Sequence, residues 1–336
     1  MQNIDQQISS GKCPPKLTDS FGRQIKYLRI SVTDRCNLRC TYCMPSEGIT
    51  TIPHNKILRF EEIERLIDIF TSFGIEKVRF TGGEPFVRKG FVGLLDKVSR
   101  NENLKSVNIT TNGVLLTKHA AQLEKLNIEN INLSLDSLDE YNFEKITRKN
   151  NLKDVLDSLD WLLKSNIKTK INCVVQADIY KEQIKNLSEL TINNDVEVRF
   201  IEQMPFNGSG ANNVFTSKDT LAYIKNIYSE VQEIQTKRNT AVNYKIKGAK
   251  GTIGLISSYE RSFCDSCNRL RITSIGMMKN CLYDNGVLDL RELLRSEKSD
   301  DEIRALIINS VGKKLKDGHE AEKYLNKFDS MSSIGG

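Results

Sequence analysis

No stretch of this 336-residue chain runs to the ~18 consecutive apolar residues that a bilayer-spanning helix needs. Its opening, MQNIDQQISSGKCPPKLTDS, lacks both an apolar h-region and an Arg-rich amphipathic pattern, so neither a secretory nor an organellar signal is read there. The expectation is a cytoplasmic protein without a membrane partner. No sign of charge dominates: 49 Lys and Arg against 43 Asp and Glu leave +6. So mild and dispersed an excess does not indicate nucleic acid as a partner; it suits an anionic small substrate, or solubility alone. Internal repeats and low-complexity tracts are absent. With 39% hydrophobic and 27% charged residues, the composition is that of a globular chain able to bury a core.

Cysteine is present, in an incomplete arrangement. Eight Cys in a chain without an export signal belong to a reducing compartment, where clustered thiols are metal ligands or reactive groups rather than disulfides. Six fall in two groups: Cys36, Cys40 and Cys43 in RCNLRCTYCMP, and Cys264, Cys267 and Cys281 in FCDSCNRLR and MMKNCLYD. Each group brings three soft sulfur ligands and no fourth nearby. A ferredoxin closes its four-iron cluster with four thiolates. Three would leave one iron open to a small molecule, the distinction that separates catalytic from structural zinc sites. The competing reading is zinc, completed by Cys13 or His54 in the first group and by His319 in the second. Two groups, each one ligand short, favour two clusters with two open irons. Cys13 and Cys173 stand alone, as a tail thiol and a strand-core residue.

Short apolar runs alternate with helix-period segments over the first two-thirds of the chain. YLRISVT, KVRFTGG, SVNITTNG, NINLSLD, TKINCVV and VEVRFIE read as strands. Between them, helices are expected at FEEIERLIDIFTSFG, near 90–99, from Thr117, around 139–145 and 151–165, and near 181–191. Strand–helix alternation implies a parallel sheet with right-handed crossovers. The unusual clusters each follow a strand, as active-site loops do on the C-terminal rim of a βα barrel. Six units are fewer than the eight of a closed barrel, so the expected fold is α/β, a partial (βα)6 TIM-type barrel with a C-terminal α+β cluster-binding extension. A doubly wound sheet is the alternative. The pattern breaks near MPFNGSGANN, and a helix over 217–235, short strands around the second cysteine group and polar helices follow. The expected division is 1–20 as a tail, 21–210 as the barrel and 211–336 as the C-terminal domain.

Other residues carry weaker signals. TGGEP gives a ligand close access to backbone groups, or is merely a turn. Arg269 and Arg271, behind Cys267, suggest a phosphate-rich ligand or a solvated strand face. Arg29, Arg79, Lys170 and Arg199 lie within strands, and periodicity does not decide whether they point inward. The final SSIGG reads as a frayed tail.

Assembled, these residues resemble the radical S-adenosylmethionine enzymes, whose signature loop is C-x3-C-x-aromatic-C, here Cys36, Cys40, Tyr42 and Cys43. Within them the chain is most similar to the GTP 3',8-cyclase family of molybdenum cofactor biosynthesis, through FCDSCNRLRIT, CLYD, RFIEQMPFNG and the double-glycine terminus. The resemblance implies two [4Fe–4S] clusters, one on Cys36, Cys40 and Cys43 with S-adenosylmethionine on its free iron, the other on Cys264, Cys267 and Cys281 facing the guanine of GTP. Tyr42, Gly83, Ser134 and Met204 would bind S-adenosylmethionine. Arg29, Arg79, Thr110, Lys170, Arg269 and Arg271 would bind GTP. Arg269, Arg271, Gly335 and Gly336 would take part in catalysis, which reverses the frayed-tail reading. The implied reaction abstracts hydrogen from C3' of GTP and closes that carbon onto C8, giving (8S)-3',8-cyclo-7,8-dihydroguanosine 5'-triphosphate. The implied partners are the next enzyme, a cyclic pyranopterin monophosphate synthase, a reductant such as flavodoxin or ferredoxin, and a second copy in a homodimer.

Overall fold

The computed structural model describes residues 16–204, 215–235, 240–261 and 263–324. Cys13, Gly335, Gly336 and most of the expected domain boundary lie outside the described residues.

Strands β1 (Tyr27–Ser31), β2 (Lys77–Thr81), β3 (Ser106–Thr111), β4 (Asn130–Ser134), β5 (Lys168–Val174) and β6 (Glu197–Ile201) lie side by side in chain order, all parallel. Helices α1 (Phe60–Thr71), α2 (Phe91–Ser99), α3 (Ala120–Leu123), α4 (Glu140–Thr147), α5 (Leu152–Lys164) and α6 (Tyr180–Asn193) lie in the crossovers. The helix expected from Thr117 is a 3-10 turn over Leu116–His119 leading into the short α3.

Parallel strands covered on both faces usually read as continuous hydrophobic runs. These alternate instead. Leu28, Ile30, Val78, Phe80, Ile109, Ile131, Leu133, Ile171 and Phe200 are fully or almost fully buried in the core. Phe80 meets Phe91 of α2 edge-on at 5.7 Å, so this face packs against the crossover helices. A fully buried Phe or Leu contributes about 1.5–3 kcal/mol, which anchors each strand by its outer residues. The inner residues are then free to be polar.

Two further parallel strands flank these six, one of them among the short strands expected around the second cysteine group. β9 (Thr252–Ile256) pairs with β6, and β10 (Arg269–Ile272) pairs with β1, so both flanks of the six-strand set come from the C-terminal third. Antiparallel strands β7 (Val231–Ile234) and β8 (Val242–Ile246) extend one end; β11 (Met277–Lys279) and β12 (Leu288–Asp289) extend the other. The result is a 12-stranded sheet whose two end strands do not pair with each other, an open barrel. The helix expected over 217–235 stops at Ile227, because residues 231–234 hydrogen-bond to β8; it is α7 (Ser217–Ile227). Helices α8 (Leu290–Arg295), α9 (Asp300–Gly312) and α10 (Gly318–Glu322) follow. The start of α9 is a capping box, with Ser299 N donating to Glu302 Oε2 at 2.9 Å and Glu302 N donating to Ser299 Oγ at 3.3 Å.

Candidate active site

The inner faces of the strands enclose a cavity of about 570 Å³, within the ordinary range for a ligand site. All six clustered cysteines line it, and so do Tyr42, Gly83, Ser134 and Met204. Arg29, Arg79, Thr110, Lys170, Arg269 and Arg271 line it as well. The inward orientation that periodicity leaves open is therefore resolved, for Arg199 too.

The first thiol loop leaves β1 and is held from several sides. Gly83 N donates to Thr33 O and Glu84 N to Arg35 O, both at 2.8 Å. A Cβ on Gly83 would lie 2.3 Å from Arg35 O, so the TGGEP glycine is where the loop's backbone lies directly against β2's end. On the other side Arg39 N and Thr41 N donate to the last carbonyls of α4, Thr147 O and Ile146 O, at 3.0 and 2.9 Å. Asn112 Nδ2 reaches Asn37 Oδ1 at 2.9 Å and Cys36 Sγ at 3.6 Å. Tyr42 Oη donates to Asp136 Oδ2 at 2.8 Å. Burial pushes the Cys36 thiol up to about 11 and Cys40 well above its ordinary value. It also raises Asp136 to about 6, against the hydrogen bonds from Val174 N and Tyr42.

The second group begins in a 3-10 turn, Cys264–Ser266, and ends at Cys281 just after β11. Arg23 fastens it: Nη1 donates to Cys264 O at 3.0 Å, Nη2 to Leu315 O at 2.7 Å, and Nε to Asp19 Oδ2 at 2.6 Å. The buried ammonium of Lys314 donates to Asn280 O beside Cys281, and to Arg269 O at 3.3 Å. Burial raises Cys267, but Lys314 and Arg269 outweigh it and bring that thiol below its ordinary value. Cys264 and Cys281 stay raised, chiefly by burial. Met204 is 3.8 Å from Tyr283 Oη, on the cavity wall next to this group.

None of the six thiols is in a disulfide. Among the described residues no three His, Cys, Asp or Glu side chains converge closely enough to hold a single metal ion. His54 and His319 are exposed and line no part of the cavity. The mononuclear zinc reading therefore has no preformed site among the described residues. Two thiol trios facing one cavity are the donor set of iron–sulfur clusters with an open position.

Between the trios the wall is cationic. Eight Lys and Arg side chains line the cavity against two carboxylates, Glu129 and Glu202, so the modest net charge of the chain is concentrated here. Arg271, Arg29 and Arg79 stand in register on β10, β1 and β2. Like charges on adjacent strands repel; burial, then Arg271, hold Arg29 well below its ordinary value. Such a row is suited to a polyanion. Arg79 is aimed by its neighbours: Nη1 donates to Ile109 O at 2.8 Å and Nη2 to Asn130 Oδ1 at 2.8 Å. Lys170 and Arg199 are each 2.5 Å from a different oxygen of Glu197.

Four acidic residues here escape sequence reasoning. Glu84, Asp136 and Glu197 sit inside motifs already singled out, yet nothing in their spacing reports that the first two are buried and the third half-buried. Glu202, in RFIEQMP, accepts from Ser217 N at 2.6 Å and Ser258 N at 2.7 Å, tying the ends of β6 and β9 to the start of α7.

Residues 30–191 match the Radical SAM superfamily and residues 196–320 match Molybdenum Cofactor Synthesis C. The GTP 3',8-cyclase of Thermodesulfovibrio yellowstonii is 40% identical over 326 residues, covering 95% of this chain and 100% of that one. The chain belongs to the GTP 3',8-cyclase family. Molybdenum cofactor biosynthesis protein 1 of Drosophila melanogaster is 41% identical over 92% of this chain; this chain spans 56% of that protein's length. Among solved structures, SuiB of Streptococcus suis superposes with a TM-score of 0.60 at 17% identity, covering 84% of this chain and 68% of that one. That likeness concerns the fold, a partial barrel, and agrees with the open sheet of this family member. Among the described residues no helix is long and apolar enough to cross a membrane.

Proposed function

We propose that this chain is a lyase, a GTP 3',8-cyclase that converts GTP to (8S)-3',8-cyclo-7,8-dihydroguanosine 5'-triphosphate in the first step of molybdenum cofactor biosynthesis. The observation that carries the reading is the single cavity shared by two open thiol trios with a row of arginines between them.

Cys36, Cys40 and Cys43 would hold one [4Fe–4S] cluster, and Cys264, Cys267 and Cys281 the other. When bound, the first cluster and S-adenosylmethionine supply one-electron cleavage of the sulfonium and a radical that abstracts hydrogen. The protein's own work is to bind, orient and keep the site dry. Tyr42, Gly83 and Ser134 bind S-adenosylmethionine beside the first trio, and Met204 contributes to its pocket from the wall next to the second. Arg29, Arg79, Thr110, Lys170, Arg269 and Arg271 bind GTP, the guanidiniums gripping phosphate oxygens in pairs. The guanine then faces the second trio and the ribose faces the first. Gly335 and Gly336 enter the cavity. The last described residue, Tyr324, is tied to Asn285 Nδ2 at 2.7 Å.

Residues 21–210 act as the six-unit core of the barrel and 211–336 as the cluster-bearing extension that also supplies its flanking strands, after a tail of 1–20. The enzyme works in the cytoplasm, as a homodimer, with electrons from a flavodoxin or ferredoxin. It passes its product to a cyclic pyranopterin monophosphate synthase.

Anaerobic incubation of the reconstituted protein with S-adenosylmethionine, dithionite and GTP tests this by mass spectrometry. A species isobaric with GTP should form together with 5'-deoxyadenosine. 5'-Deoxyadenosine without that isomer would point to a different substrate.

A further inference from the structure

Two successive inward-facing rungs of the sheet form a block of charge. One is Arg271, Arg29 and Arg79; the next, nearer the strands' N-terminal ends, is Arg269, Tyr27 and Lys77. Tyr27 is the one member without a permanent charge. Its phenol oxygen accepts from Arg79 Nε at 2.7 Å. The Arg269 guanidinium lies 5.6 Å from its ring centroid and the Lys77 ammonium 5.5 Å, both at cation–π range. Beyond them, Glu129 stands 4.0 Å from Lys77, and the Thr240 hydroxyl accepts from Arg269. Tyr27 lines the cavity, and the reaction as set out above leaves it no task.

We propose that Tyr27 is a positioning residue for the nucleotide's phosphates, holding Arg79 by its oxygen and Arg269 by its ring, and surrendering that hold with a change in its own protonation when the phosphates arrive. This rests on the reading of the cavity as a GTP site. Burial pushes the Tyr27 phenol up, but Arg79, Arg29 and Arg269 outweigh it and bring it down to about 7. Above that pH the phenol is an anion that neutralises part of the block. A triphosphate then competes with it for the same guanidiniums. By linkage, phosphates that draw off those guanidiniums raise the phenol again, so binding above pH 7 takes up a proton at Tyr27. The affinity for GTP therefore falls as pH rises through this range, by about tenfold per pH unit at the limit.

The test is titration calorimetry of GTP into the anaerobically reconstituted protein, at pH 6.5 and 8.5, in buffers of differing ionisation enthalpy. Wild type should bind GTP at least about tenfold more weakly at the higher pH. It should also take up more protons on binding than Tyr27→Phe, the nucleotide's own titration being common to both. In Tyr27→Phe the pH dependence should flatten and the extra uptake vanish. Equal pH dependence and equal uptake in the two proteins overturn the proposal while leaving the GTP site intact. No GTP binding by wild type overturns both. Should Tyr27→Phe not fold, 3-fluorotyrosine at position 27 keeps ring and hydroxyl. Because fluorine makes the phenol more acidic, its resonance should titrate below neutral pH and move toward the neutral-phenol position on adding GTP, and a resonance unmoved by GTP refutes the role.

Discussion

Glu84 has no exposed surface, and its carboxylate accepts three hydrogen bonds: Thr111 Oγ1 at 2.8 Å and Phe86 N at 3.1 Å on one oxygen, Asn112 N at 2.7 Å on the other. It thereby couples the turn after β2 to the turn after β3, on which Asn112 reaches Cys36. Burial raises its pKa from 4.5 to about 7 in spite of those donors. Because the folded value lies above the unfolded one, the folded state holds more protons between about 4.5 and 7, and the contribution to stability is lost as pH rises through that window. Glu84→Gln removes this titration and turns one acceptor into a donor aimed at a donor. At pH 5 the apo-protein should be less stable by about 1–3 kcal/mol in urea, with the gap narrowing by pH 8. A gap independent of pH would mean that Glu84 does not titrate there. Gly83 depends on space alone: in Gly83→Ala the methyl meets Arg35 O, a backbone atom that cannot swing away. A loss of about 1–3 kcal/mol is expected, and iron bound at the first trio should fall, read by electron paramagnetic resonance after reduction. An unchanged signal would separate the glycine from the thiol loop. Cysteine spacing and glycine placement are legible in sequence because they are local. The burial of Glu84 and of Asp136 is not, because it is created by segments dozens of residues away.

At the scale of elements, each thiol group is a loop clamped from outside, and the clamps differ in kind. The first is docked by backbone groups together with Asn112 and the Tyr42–Asp136 hydrogen bond, and the second by side chains, Arg23 above all. The Asp19 partner of Arg23 has no exposed side-chain surface. Removing the guanidinium strands that carboxylate and releases the carbonyls of Cys264 and Leu315, a change of about 3–5 kcal/mol for a buried pair broken on one side. Arg23→Ala should lower Tm and reduce iron at the second trio while the first trio still cleaves S-adenosylmethionine. Equal losses from both trios would mean that the clamp serves the whole fold. The six βα units were readable because each helix shows a 3.6 period and each strand is bounded by turn residues. The pairing of β9 with β6 and of β10 with β1 was not, since those partners lie far away in sequence. The helix expected through 235 failed for a related reason: VQEI becomes a strand only because β8 is there to pair with it.

For the molecule as a whole, the reading requires that the chain's end return to the cavity. Deleting Gly335 and Gly336 should abolish the cyclised product and leave iron content and thermal stability unchanged. An active truncated protein would restore the frayed-tail reading. The chain-wide charge of +6 hid the most informative electrostatic property, the gathering of cations on one inner surface, because the strand pleat, not composition, sorts residues inward and outward. The sheet's order also bears on biosynthesis. Arg29 and its partner Arg271 are about 240 residues apart, which at ~5–20 residues per second separates their emergence from the ribosome by roughly ten to fifty seconds. Through that interval β1 has an unpaired edge, and the Cys36–Cys43 loop it carries is open to oxidants and to stray metal. The first thiol trio to be made is thus enclosed only when nearly the last strands arrive, and iron delivery is best timed after synthesis ends.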